Sequence, residues 1–260
     1  MRSTRLEIMI RNIIFDWSGT LVDDLPAVWE ATNYVLTQAG SAEMTLEEFR
    51  AEFCLPFTLF YDRHVPHVPL PQLETWFHSR FRQVQGSVCA LPHAREFLEF
   101  CRARRLRTFL LSTVHHDHFA LQSAATGLRD YLDKPYIGVW DKRKKIHDIL
   151  EENRLEPQQT LFIGDMQHDI ETARHGGIHS CAVLTGYNTL DQLQAAEPDL
   201  IVENLGELRD ILQQDGQIDN AGQGIDNRKR PPHPPSPGRY GATGPGHLPL
   251  RAGEGEASPA

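Results

Sequence analysis

The chain has 260 residues, 40% hydrophobic and 23% charged, a composition and length that fit a globular protein of one or two domains with a substantial core. Its formal charge is −9 and its one basic cluster, residues 141–148 (DKRKKIHD), is short and flanked by acids, so no nucleic-acid partner is expected. No apolar run approaches the roughly 18 residues of a membrane span, so no membrane partner is expected either.

The N-terminal MRSTRLEIMIRN carries charge but no apolar signal core, which points to a cytoplasmic protein, with Met9 as an alternative start. Residues 9–16 (MIRNIIFD) read as a strand. From 24 to about 88 the patterns are helical: 25–40, 45–53 and 70–85, with Thr45 and Glu48 at capping-box spacing. A strict alternation follows. A helix at 92–105 with Pro92 in its first turn precedes a strand at 106–112, and a helix at 117–127 stopped by Gly127 precedes a strand at 136–140. Then come helix 142–155, strand 160–165, helix 169–177, strand 180–186, helix 190–196, strand 199–204 and helix 205–214.

Near-continuous apolar strands alternating with helices predict an α/β fold, a Rossmann-like parallel sheet covered on both faces. The predicted organisation is a core domain from 1–22 and 88–212, an inserted α-helical cap domain from 23–87, and a disordered tail from 213–260. Seventeen of the 46 residues from Asp215 onward are Gly or Pro, which sets the tail apart. Cys54, Cys89, Cys101 and Cys181 are scattered without a CxxC pair, so reduced thiols are expected rather than a zinc site or a disulfide framework.

Three predicted strands end on a polar residue: Asp16, Ser112 and Asp165. Ligands of open parallel sheets bind at these carboxyl ends. FDWSGTLVD resembles the first motif of the haloacid dehalogenase superfamily, an apolar strand followed by Asp, x, Asp, Gly, Thr. LLST resembles the second motif through Ser112, and IGDMQHDIETARHGG the fourth through Asp165 and Asp169. Lys142 is the best match to the third, with Lys144 and Lys145 competing. The position of the helical insertion resembles the phosphoglycolate-phosphatase-like branch.

That resemblance implies a phosphatase acting on a small phosphorylated metabolite through an aspartyl-phosphate on Asp16. It also implies a Mg²⁺ held by Asp16, the backbone carbonyl of Ser18, Asp165 and Asp169, an all-oxygen set suited to that hard cation. Lys142 would pair with Asp16 and the phosphoryl oxygens, Ser112 and Thr113 would contact the substrate, and Arg63 is a candidate for a substrate carboxylate. A monomer or homodimer is compatible with this reading. The histidines His115, His116 and His118, like His64 and His67, are expected in solvated loops.

The chain departs from the family pattern at Ser18, where the phosphatases place a second Asp that protonates the leaving group and later activates water. Losing a general acid–base costs roughly 10²–10⁴-fold. The preferred reading is a slow or selective phosphatase. The alternatives are a catalytically idle binding or regulatory protein of the same fold, a protein with a long-lived phosphoenzyme, a phosphonatase or a dehalogenase. No lysine precedes Lys134, which argues against a phosphonatase whose cap lysine forms a Schiff base, and the paired acids of the fourth motif argue against a dehalogenase.

Overall fold

Buried β-branched and aromatic runs form the strands, and helices with one apolar stripe fill the spaces between them. The computed structural model describes residues 10–214; the region around Met9 and the expected tail beyond Gln214 lie outside the described residues. The chain opens with β1 (Asn12–Phe15) and β2 (Val22–Asp23). Four helices follow: α1 (Leu25–Gln38), α2 (Leu46–Glu52), α3 (Phe57–His64) and α4 (Leu70–Val84). After β3 (Cys89–Ala90) come α5 (Ala94–Ala103), β4 (Arg107–Leu111), α6 (His116–Thr126) and β5 (Lys134–Tyr136). Next are α7 (Lys142–Asn153), β6 (Thr160–Gly164), α8 (Gln167–Gly176) and β7 (His179–Val183). The chain then runs through α9 (Leu190–Ala195), β8 (Leu200–Val202) and α10 (Leu205–Gln214).

Six strands form one parallel sheet in the order β5-β4-β1-β6-β7-β8. Successive side chains of β1 point to opposite faces. Ile13 and Phe15 join one core with Phe97, Leu110 and Ile163, while Ile14 joins the other with Phe109, Ile146 and Phe162. Burial on both faces explains why the central strands are mostly apolar. Phe15 sits opposite Leu110 of β4 and Ile163 of β6, so the carboxyl ends of the three central strands come out side by side. No helix among the described residues is long and apolar enough to cross a membrane.

The four-helix insertion enters through β2 and leaves through β3, which pair antiparallel with Val22 opposite Ala90 and Asp23 opposite Cys89. It carries its own apolar cluster around Val35, Leu36, Phe49, Phe60 and Leu73. The Thr45–Glu48 capping box is present: the Thr45 hydroxyl accepts from Glu48 N at 3.2 Å, and Thr45 N donates to the Glu48 carboxylate at 2.7 Å.

Three local expectations are corrected. The fifth strand of the sheet order's edge is Lys134–Tyr136, not 136–140. The apolar run leaves the ladder after Tyr136: Gly138, whose φ is +67°, donates to Val114 O at 2.9 Å and Val139 to Ser112 O at 3.1 Å, beyond the end of β4. Helix α3 lies in a segment that carried no helical expectation. His118 is buried in α6, with its Nε2 2.9 Å from Nδ1 of His78 and its Nδ1 3.1 Å from Gln85 Oε1, because α4 packs over it. His116 opens α6 and His64 closes α3, so only His67 and His115 keep the loop placement.

Candidate active site

Asp16 follows β1 directly, and its backbone N–H still donates to Ile163 O at 2.9 Å, which anchors it over the sheet. Its side chain is buried, with Oδ1 accepting from Trp17 N at 2.6 Å and Oδ2 lying 2.8 Å from Lys142 Nζ. Lys142 is the first residue of α7 and fully buried; its ammonium also meets Asp169 Oδ1 at 2.7 Å. Lys144 is exposed and Lys145 pairs with Asp148, so the structure brings only Lys142 of the three lysines to Asp16. Asp169, in the first turn of α8, uses its other oxygen to accept from Met166 N at 3.0 Å.

Asp165 follows β6. It accepts from Thr20 Oγ1 and from Tyr187 N, each at 2.8 Å. Two glycines leave it room. A Cβ on Gly19, which has φ +71°, would fall 2.5 Å from Asp165 Oδ2, and one on Gly186 would fall 2.0 Å from it. Ser112 is buried at the end of β4, where its hydroxyl accepts from Val114 N at 3.3 Å.

One oxygen from each of Asp16, Asp165 and Asp169 lies within 4.8 Å of the others, all buried. Burial raises the Asp16 carboxyl, with Lys142 opposing and the Asp169 charge adding to the rise. Burial, then the charges of Asp16 and Asp169, push Asp165 well above the usual carboxylate range. Burial alone would lower Lys142, but Asp16 and Asp169 outweigh it and raise the ammonium pKa, so the lysine stays charged. Three carboxylates around one ammonium are short of positive charge. An all-oxygen set with that deficit fits a hard divalent cation such as Mg²⁺.

Ser18 turns away from this cluster. Its hydroxyl donates to Asp24 Oδ2 at 2.6 Å, and Tyr187 OH donates to Asp24 Oδ1 at 3.0 Å. Burial, offset by these two hydrogen bonds, pushes Asp24 up to about 7. Asp24, Thr20 and Tyr187 were not singled out from sequence. Thr20 lies within the first motif, whereas Asp24 reads as a helix N-cap, and Tyr187 has no sequence neighbour that points to it. His168 accepts from Lys142 N at 3.2 Å; burial and the charges of Lys142 and Arg143 hold it down to about 3, so its ring is neutral.

A cavity of about 200 Å³ opens beside the cluster, with Ser18, Thr113 and Met166 at its floor. The insertion supplies Phe53, Phe57 and Phe77, and Trp140 and Tyr187 come from the loops that follow β5 and β7. The insertion is held down by Arg50, which donates to Tyr187 O at 3.0 Å and Asn188 O at 3.1 Å. Thr113 lines the cavity, but Arg63 does not. Its guanidinium donates to Glu52 O at 2.6 Å and faces the Glu52 carboxylate at 3.5 Å, so its position gives no support to a role in binding a substrate carboxylate.

The sequence model of a family described as "Haloacid dehalogenase-like hydrolase" matches residues 13–183. A phosphoglycolate phosphatase of Vibrio vulnificus is 31% identical over 219 residues, 78% of this chain and 96% of that protein. One of Synechococcus elongatus is 26% identical over 212 residues, 78% of this chain and 97% of that protein. The solved structure of a hydrolase from Pseudomonas syringae superposes with a TM-score of 0.69 at 18% identity, covering 79% of this chain and 98% of that one, a likeness of fold.

Proposed function

The chain belongs to the haloacid dehalogenase-like hydrolases, and from that premise we propose that it is a Mg²⁺-dependent phosphatase that hydrolyses a small phosphomonoester through an aspartyl-phosphate on Asp16. The observation that carries the reading is the contact of one buried ammonium, Lys142, with Asp16 at 2.8 Å and Asp169 at 2.7 Å at the carboxyl ends of adjacent parallel strands. A carboxylate nucleophile divides ester hydrolysis into two easier displacements. An anion attacking a phosphate ester needs neutralising charge, and Lys142 supplies part of it beside the attacking oxygen.

Asp16, Asp165, Asp169 and the Ser18 carbonyl would hold the metal ion, which when bound supplies Lewis-acid charge neutralisation. Thr20 and the Tyr187 N–H orient Asp165, and the Met166 N–H orients Asp169. Ser112 and Thr113 would offer their hydroxyls to the phosphoryl oxygens. The helical insertion, read as a cap domain over the core, excludes water and selects the ester.

The test is phosphate release from a panel of phosphomonoesters with Mg²⁺, comparing wild type with Asp16→Asn. Asp16→Asn is expected to fall to below roughly 10⁻⁴ of the wild-type kcat, as for loss of a covalent nucleophile. Equal activity in both proteins would end the reading.

A further inference from the structure

Two independent features of the cavity bear on the half of the ester that is not phosphate. The first is its wall. Phe53, Phe57, Phe77, Trp140 and Tyr187 line it, and no lysine or arginine does among the described residues. The charged side chains that line it are the acids Asp24 and Glu74. Of the histidines that line it, His118 is buried and held down to about 4 by that burial and by its neighbours His78, His115 and Arg82, with Asp117 opposing, and burial lowers His78 as well. Trp140 is 51% exposed at the mouth, 5.2 Å ring to ring from Phe57, a large apolar surface that the fold itself leaves uncovered. A volume of about 200 Å³ exceeds the roughly 150 Å³ that accommodates a benzene ring.

The second feature is the floor. Ser18 stands two residues after Asp16, at the sequence position of the acid that protonates the leaving group in the family pattern, and its hydroxyl proton is donated to Asp24 at 2.6 Å. The Ser18 side chain itself therefore presents no acid to a departing alkoxide. A phenol, with a pKa of about 10 like the tyrosine side chain, leaves as its anion without help, whereas an aliphatic alkoxide is far more basic.

We propose that the substrate is an aryl phosphomonoester whose uncharged aromatic ring fills this cavity and whose phenolate leaves unprotonated. The inference rests on the phosphatase reading above and narrows it, away from esters that carry a carboxylate. In the first step an Asp16 oxygen bonds to phosphorus while the bond from phosphorus to the aryl oxygen breaks, its electron pair leaving on the phenolate. In the second, water attacks the same phosphorus and the bond to Asp16 breaks, regenerating the carboxylate. Inorganic phosphate is released, and the proton lost by water passes through solvent to the phenolate.

The experiment uses the full chain with Mg²⁺ and three esters: phenyl phosphate, benzyl phosphate and 2-phosphoglycolate. Phenyl and benzyl phosphate share the ring and differ in leaving group, while phosphoglycolate replaces the ring with a carboxylate. The expected kcat/KM for phenyl phosphate exceeds that for either of the others by about 10²-fold or more. Trp140→Ala is expected to raise KM for phenyl phosphate about 2- to 10-fold with kcat little changed, the loss of one aromatic contact. Benzyl phosphate or phosphoglycolate hydrolysed as fast as phenyl phosphate overturns the inference. If that hydrolysis is lost in Asp16→Asn, the phosphatase reading survives alone. If Asp16→Asn hydrolyses all three like wild type, both fall.

Discussion

At the strand ends, Asp16, Asp165 and Asp169 are buried and accept from fixed backbone donors, Lys142 donates to Asp16 and Asp169, and their charges are set against one another. On the far side of Ser18, the cavity wall is aromatic, partly open and without a lysine or arginine among the described residues. The first region deals with the phosphoryl group that every ester shares. The second meets only the part that differs between esters. Burial makes each charge at the strand ends costly to remove, because its partners are then left unpaired. A wall residue such as Trp140 carries no such liability. Cluster variants should therefore act on stability and kcat, and wall variants on KM and preference.

The sharpest way to break that division is Lys142→Ala, which leaves Asp16 and Asp169 facing each other without a cation. The unfolding free energy should drop by about 3–5 kcal/mol, measured by urea denaturation without Mg²⁺. A loss no larger than that of Trp140→Ala would erase the distinction between the regions.

Ser18→Asp tests the border between them. The new carboxyl would lie against Asp24, and two acids in contact hold one proton between them. Benzyl phosphate hydrolysis should rise by about 10²-fold, and further in the Ser18→Asp, Asp24→Asn double variant, while phenyl phosphate changes far less. An equal change for both esters would show that protonation of the leaving group is not what Ser18 withholds.

A smaller effect reads the cavity by pH, through two groups that line it. His118 faces His78, His115, Arg82 and Asp117 and is held down to about 4, below its ordinary 6.5. The unfolded chain therefore binds more protons than the native one between these values. The histidine's contribution is complete above about 6.5 and is lost as pH falls through about 4. Asp24 runs the other way. Raised to about 7 by burial, it favours the native state below 3.8 and loses that contribution as pH rises through 7. The melting temperature of wild type relative to His118→Gln should decline from pH 7 to pH 5, and relative to Asp24→Asn it should decline from pH 6 to pH 8. Differences that stay constant with pH would contradict both assignments.

The centre of the fold was readable because β1, β4, β6 and β7 are buried on both faces along most of their length and are mostly apolar there. The edge was not. β5 is Lys134-Pro135-Tyr136 and, among the described residues, pairs only with β4, so neither apolarity nor a full ladder marks it, while Gly138 and Trp140 of the apolar run beside it line the cavity. Helix α3 has no side-chain cap and follows a proline, which hides its start. Asp16, Ser112, Asp165 and Asp169 announced themselves by strand-end and helix-start positions, and the structure brings Asp16, Asp165 and Asp169 together with Lys142. Asp24 was invisible as a partner of Ser18, because that contact depends on the turn at Gly19 and on Tyr187, far along the chain. His118 looked like part of a polar loop because its burial is imposed by α4, a partner that no local pattern reveals.

The central claim is that Asp16 becomes phosphorylated during turnover. It is tested most directly by acid-quenching the Mg²⁺-loaded protein during hydrolysis of phenyl phosphate and mapping the phosphoryl group by mass spectrometry. The account predicts one acid-stable, hydroxylamine-labile phosphoryl group on the peptide that carries Asp16, absent in Asp16→Asn. Steady turnover with no adduct at Asp16, or with the adduct on another residue, would contradict it.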